Sequence, residues 1–259
     1  MANQLGNIGI VYQNKGELDN ALEYYGKELK LNEELGRKEG MANQLVNIGN
    51  VYQNKGELDN ALEYYEKALK LDEELGRKEG RAANLVNIGN VYQNKGELDK
   101  ALGYFEKALK LDEELGRKEG MANQLGNIGI VYGIKGELDN ALEYFENALE
   151  LDEELGIKEG LAKELGNIGT VYQIKGELDN ALEYFENALK KFKDIGNRIE
   201  TARVLVNIGD VFVLKGEKGR ALDYYREAQG LAVGTPVFED VRKRLNKQEN
   251  KLLTQINAD

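Results

Sequence analysis

The chain has 259 residues, with 35 Lys and Arg against 46 Asp and Glu, no His, no Cys and a formal charge of −11. It also lacks Ser. Disulfides, zinc sites and Cys- or Ser-based nucleophiles are thereby excluded, nucleic acid is not expected as a partner without a basic stripe, and no run approaches the roughly 18 apolar residues of a membrane span. The start of the chain shows no basic segment followed by an apolar one, so a cytoplasmic location is expected.

The segment 41–60 returns, lightly edited, every 40 residues. Gly9, Gly49, Gly89, Gly129, Gly169 and Gly209 mark one slot, and Ala21, Ala61, Ala101, Ala141, Ala181 and Ala221 another. A period of this length means stacked repeats, each burying its apolar face against its neighbours. Glycine is frequent (30) while proline occurs once. Glycine here is expected to serve helix ends and close packing.

In the repeat 42–81, Leu45, Ile48, Gly49 and Tyr52 fall on one face of a helix. Gly56 is its natural C-terminal cap. Ala61, Tyr65, Ala68, Leu69 and Leu75 form a second run, ended by Gly76. The pattern predicts helix A over about 38–54 and helix B over about 58–75, antiparallel across a short turn, in each copy. Gly49 inside helix A costs about 1 kcal/mol relative to Ala. The reading is that its missing side chain lets helix B approach.

The expected organisation is six repeats over residues 1–234 (2–41, 42–81, 82–121, 122–161, 162–201 and 202–234). The first repeat carries Glu28 where later copies have Ala68, Ala108, Ala148, Ala188 and Ala228, a costly carboxylate in a packing slot. The Asp-Glu-Glu runs at 72, 112 and 152 lack the spacing of a calcium loop and read as a solvated helix face, so no metal is expected. Residues 235–259 read as a capping helix, with Thr235 as N-cap, Pro236 as first helical residue, and Phe238, Val241, Leu245, Leu252 and Ile256 turned to the last repeat.

The slots Leu45, Ile48-Gly49, Tyr52, Gly56, Ala61, Tyr65 and Ala68 resemble the tetratricopeptide-repeat signature. The family's tryptophan-like slot is leucine here, its closing proline is Asp72, and the period is 40 instead of 34. The longer form is most similar to the repeats of spindle-orientation adaptors of the LGN/Pins type, and more distantly to kinesin light chains. The resemblance covers residues 1 to about 232. It implies an all-α, right-handed α-solenoid of six antiparallel helix pairs plus the C-terminal cap, with helix A lining a concave groove and helix B the acidic outside.

One helix-A slot is Asn in every copy: Asn7, Asn47, Asn87, Asn127, Asn167 and Asn207. It lies off the packing face. Asn50 and Asn54, and then Asn90 and Asn94, share its stripe, and Asn is only a mediocre helix former. An amide offers a donor and an acceptor, which matches an extended peptide backbone; in the adaptor-type relatives the resemblance places such asparagines against bound peptide. The same amides could instead bond within the repeat. Late copies replace Asn94 by Ile134, Ile174 and Leu214, and bring in Lys163 and Arg203.

No acid–base pair stands out by position, so the chain is not expected to be an enzyme or to need a cofactor. A non-enzymatic scaffold that binds an extended or short helical peptide in the groove fits best, with a protein segment as partner and the chain monomeric, self-association being open only through the first repeat. The alternative is a structural, self-assembling or engineered consensus-like array without a ligand. Residues 1–20 and 121–140 differ only at Gln13/Gly133 and Asn14/Ile134, which fits either recent duplication or design.

Overall fold

From the second helix onward, each helix begins 20 residues after the one before, at 18, 38, 58 and so on to 238. The computed structural model describes the backbone of residues 2–256 and the side chains of residues 4–249. Among the described residues there are 13 helices and no strand: α1 Ala2–Asn14, α2 Leu18–Glu34, α3 Lys38–Asn54, α4 Leu58–Glu74, α5 Lys78–Asn94, α6 Leu98–Glu114, α7 Lys118–Lys135, α8 Leu138–Leu155, α9 Lys158–Lys175, α10 Leu178–Asp194, α11 Arg198–Leu214, α12 Lys218–Ala232 and α13 Phe238–Ile256. Helix A of the 42–81 repeat thus spans the predicted 38–54, and helix B ends one residue early. The fold class is the all-α helix-pair solenoid.

Two compact units are present, one up to Val131 and one from Tyr132 onward. In the first, α1 to α6 each pack on the next in chain order; in the second, α8 to α13 do the same. The turns from α1 through α12 share one construction. At the end of α4, Gly76 takes φ 67°. Its N–H bonds the Glu73 carbonyl (3.2 Å), and the Arg77 N–H bonds the Asp72 carbonyl (2.9 Å). This pair of bonds satisfies carbonyls that a helix end leaves open, and it requires the left-handed conformation that glycine adopts without strain.

The helix-A glycine does what its place suggested. A Cβ on Gly49 would lie 2.6 Å from Cε1 of Tyr65, and one on Gly89 2.7 Å from Cε1 of Phe105. Tyr65 and Phe105 are fully buried. Their rings therefore occupy the space the glycine side chain vacates. The inward face also takes Val51, which the pattern had left out, while Tyr52 is only half-buried. Tyr52 stacks instead on Tyr64, with centroids 5.3 Å apart, and five equivalent pairs recur along the chain. Ion pairs at a separation of 36 residues, such as Lys55–Asp19 (3.0 Å) and Lys175–Asp139 (2.8 Å), tie successive B helices to A helices. Their carboxylates are exposed, and each pair contributes little energy.

Two expectations fail at the end of helix B. Leu75 is 39% exposed, and Asp72 takes the inside place at 2%. The Asp-Glu-Glu runs are consequently not solvated throughout: Asp112 and Asp152 are also buried. The cause is a second helix-A glycine. Cβ atoms on Gly80, Gly120 and Gly160 would meet Asp72, Asp112 and Asp152 at 2.3, 2.5 and 2.1 Å. The next A helix starts so close that only a small, polar-tipped side chain fits, and neighbouring polar groups then hold it. Asp72 accepts from Nδ2 of Asn84 (2.9 Å) and pairs with Arg77 (3.3 Å).

At the far end, α13 starts at Phe238, two residues after Pro236. Thr235 is not an N-cap by its side chain. Its hydroxyl donates back to the Ala232 carbonyl (2.7 Å), and the Val237 carbonyl receives the Val241 N–H (3.1 Å). Val241 and Leu245 are buried against α12 and its neighbours, as a capping helix requires. The side chains of Leu252 and Ile256 lie outside the described residues.

Candidate functional site

The repeated asparagine leads into the buried polar pairs between repeats. Asn127 donates to Oε1 of Gln124 (3.3 Å), and Gln124 donates to buried Asp112 (3.1 Å). Asn47 donates to Gln44 (3.1 Å), and Asn167 to Glu164 (2.9 Å). The acceptor is always three residues earlier on the same helix, so one amide proton is committed locally. Each of these asparagines is half-buried, and the rest of its amide remains for other contacts. Asn87 and Asn207 are half-buried at the same register, and Asn7 is exposed.

The neighbouring candidates divide. The Tyr65 hydroxyl, with its single proton, lies 2.6 Å from Oδ1 of Asn50 and 2.9 Å from Oε1 of Gln53, so the two amides surround the polar tip of a buried ring. Asn90 is half-buried, and Phe105, at the position of Tyr65 in the next repeat, has no hydroxyl to give. Asn54 and Asn94 are exposed last residues of α3 and α5. In the second unit, Ile134, Ile174 and Leu214 are 57%, 60% and 60% exposed. They do not pack between helices. Lys163 is exposed, with Nζ 4.0 Å from Oε1 of Glu164, and Arg203 is exposed and donates to Glu200 (2.9 Å).

The structure brings Asn7 and Asn47 together, along with Asn43, at one cavity of about 820 Å³ in the first unit. Its lining adds Glu28, Asn32, Arg37 and Gln44, which the stripe of asparagines did not include. Glu28 was legible as an oddity in a packing slot. Asn32 and Gln44 were legible only as helix residues, because their burial depends on the neighbouring repeat.

The same polar slots run through the chain with changing chemistry. Asn32–Gln44 becomes Asp72–Asn84, Asp112–Gln124, Asp152–Glu164 and lastly Phe192–Val204. At the fourth step both side chains are carboxyls, and Ile157 stands where Arg77 and Arg117 supplied a cation. Burial pushes the Glu164 carboxyl above its ordinary range, Asp152 adds to the rise, and Asn167 and Lys163 pull against it. Burial likewise raises Glu28. Among the described residues no group of three His, Cys, Asp or Glu side chains is placed to hold a metal, and no helix is long and apolar enough to cross a membrane.

The tetratricopeptide-repeat family model matches residues 1–74, 39–114, 80–154 and 161–232. The chain belongs to the tetratricopeptide-repeat family. Among curated protein sequences there is no match. Solved structures show the same fold at low identity. BtubC (BKLC) from P. vanneervenii is 20% identical with a TM-score of 0.73, covering 83% of this chain and 91% of that one. Putative kinesin light chain TPR-like repeats from Podospora anserina are 17% identical, with a TM-score of 0.64 over 75% of this chain and 96% of theirs. A Rap protein complexed with Competence and Sporulation Factor is 16% identical, with a TM-score of 0.66 over 97% of this chain and 75% of its own. At such identities the likeness is one of fold. Kinesin-light-chain-like repeats are thus among the structural relatives, while the likeness to LGN/Pins adaptors rests on the sequence pattern. Tetratricopeptide repeats are protein-interaction scaffolds, and the chain carries that architecture.

Proposed function

We propose that this tetratricopeptide-repeat protein works in the cytoplasm as a non-enzymatic scaffold whose helix-A faces bind an extended or short helical peptide. In the first unit, the amides of Asn47, Asn87 and Asn127 engage the peptide backbone. In the second, Ile134, Ile174 and Leu214 hold an aliphatic or aromatic anchor, Asn167 and Asn207 continue the amide register, and Lys163 and Arg203 favour an acidic residue near it. The observation that carries this reading is the exposure of three large apolar side chains at one repeated slot. Water-exposed apolar groups repeated in register are a mark of a contact surface. The one-proton commitment of Asn47, Asn127 and Asn167 to their own helices favours the rival reading, an array whose asparagines serve its own stability.

Affinity capture followed by identification of bound segments supplies a peptide for the test. The double variant Asn87→Ala/Asn127→Ala is expected to bind it more weakly while keeping its helical signal. Ile174→Asn, which restores the residue of the early repeats, is expected to weaken the anchor. Binding unchanged in both variants refutes the proposal, and unfolding of the double variant assigns the asparagines to the fold.

A further inference from the structure

The cavity of the first unit holds a buried carboxyl that makes no ion pair among the described residues. Glu28 is 5% exposed, and its Oε2 has no hydrogen-bond partner. In the later repeats the slot is alanine. Gly6 leaves room for the carboxyl, since a Cβ there would lie 2.3 Å from Oε2; the equivalent residues are Val46, Val86, Gly126, Gly166 and Val206. Beside it, Asn32 is 3% exposed with Nδ2 unpartnered. Asn32 replaces the aspartate of the next three repeats, and Arg37, whose counterparts Arg77 and Arg117 pair with Asp72 and Asp112, makes no ion pair among the described residues. The other charges lining the space are already engaged: Lys38 pairs with Glu74 (2.8 Å), and Glu39 lies 3.8 Å from Arg77.

A buried, unpaired carboxyl is unfavourable for the fold alone. It becomes favourable when a cation enters, because charge-assisted hydrogen bonds are the strong ones. The volume of about 820 Å³ admits a short peptide segment. Five amides, from Asn7, Asn32, Asn43, Gln44 and Asn47, line it and can complete the shell of a group with several N–H donors or a neighbouring carbonyl.

We propose that this cavity is a recognition pocket for a primary ammonium group of a peptide, ion-paired to Glu28, with Arg37 at the rim receiving a carbonyl or carboxylate oxygen next to it. The ammonium comes from a lysine side chain or from a free amino terminus. The inference rests on the peptide-scaffold reading and adds which chemical group the first repeat selects. Binding draws on the ionised form of Glu28, so it strengthens as pH rises through the range in which that carboxyl ionises.

The test is titration of the isotope-labelled full chain, followed by backbone amide shifts, with four small probes. These are N-acetyl-lysine N-methylamide, alanine amide with its free amino group, N-acetyl-norleucine N-methylamide as the uncharged isostere, and N-acetyl-arginine N-methylamide. The expected result is saturable shifts at Gly6, Glu28, Asn32 and Gln44 with the lysine probe, the alanine probe or both, which also tells the two sources apart. Glu28→Gln keeps the shape and is expected to weaken the effect by about tenfold or more. The proposal is overturned if the norleucine probe binds as well, if the arginine probe binds best, if Glu28→Gln binds unchanged, or if neither ammonium probe gives saturable shifts. A captured peptide without any ammonium that still binds, and that Asn87→Ala/Asn127→Ala weakens, would leave the scaffold reading intact and remove this pocket from it.

Discussion

Replacing Gly49 with alanine tests the packing of the repeat where helix propensity and tertiary fit point in opposite directions. Propensity alone favours the change by about 1 kcal/mol, since glycine in a helix interior is the costlier residue. The new Cβ, however, would sit 2.6, 2.8 and 3.0 Å from Cε1, Cδ1 and Cζ of Tyr65. That ring has no free direction. It is fully buried, and its hydroxyl is held by Asn50 (2.6 Å) and Gln53 (2.9 Å). Overpacking of a filled core costs about 1–3 kcal/mol, and shifting the ring endangers hydrogen bonds of about 0.5–1.5 kcal/mol each. The steric terms exceed the propensity gain, and Gly49→Ala is expected to destabilise the protein by about 1–3 kcal/mol. Gly103 is the control. It lies inside α6 with nothing within 4 Å of its would-be Cβ, so Gly103→Ala is expected to stabilise by about 0.5–1 kcal/mol. Urea unfolding followed by far-ultraviolet circular dichroism compares the two, with hydrogen exchange of α3 and α4 as a local check, because repeat arrays need not unfold in one step. If Gly49→Ala raises the midpoint as Gly103→Ala does, the account of close helix approach is wrong.

Glu164→Gln puts an amide opposite Asp152, as Gln124 stands opposite Asp112, and is expected to stabilise at neutral pH by about 1 kcal/mol. Because burial raises the folded carboxyl above its unfolded value, the wild-type protein regains stability as pH falls from that raised value towards the ordinary glutamate range; the variant should lose this slope, and a pH series of unfolding midpoints that is parallel for both proteins refutes the assignment. Arg77→Ala leaves the buried Asp72 carboxyl with Asn84 alone, with an expected cost of about 1–3 kcal/mol. Faster exchange confined to α4 and α5 would locate that loss, and unchanged exchange there would contradict it. Leu245→Ala removes a side chain only 5% exposed from the last apolar cluster. It is expected to cost about 2–5 kcal/mol in thermal or urea unfolding, against near-zero if α13 merely rests on the surface.

Glycine and alanine periodicity was enough to place the helices, because each repeat states its own turn and its own close contact. Gly76 ends helix B, Gly49 admits Tyr65, and both follow from local rules of chirality and side-chain volume. The capping role of Val241 and Leu245 was legible for the same reason, as an apolar stripe following the last repeat. The start of α13 was not, since the Thr235 hydroxyl donates backward to the Ala232 carbonyl instead of capping the helix that follows.

The candidate site was legible by residue type and only partly by role. That Asn recurs at 7, 47, 87, 127, 167 and 207 is a fact of the sequence. Whether an amide faces a ligand or its own helix depends on the residue three positions earlier, and on whether that residue is itself drawn inward by the preceding repeat. The three-dimensional packing supplies the local partner for Asn47, Asn127 and Asn167. Asp72 carries the signature of a solvent-facing acid, and a one-dimensional pattern has no reason to bury it. Gly80 lets the next helix close over Asp72, and Arg77 and Asn84 compensate the charge that closure removes from water. The sequence determined which residues repeat and where each helix stops, because those depend on neighbours along the chain. Only the tertiary structure decided which polar groups lie inside, because burial is a property of the residues that stack across from them.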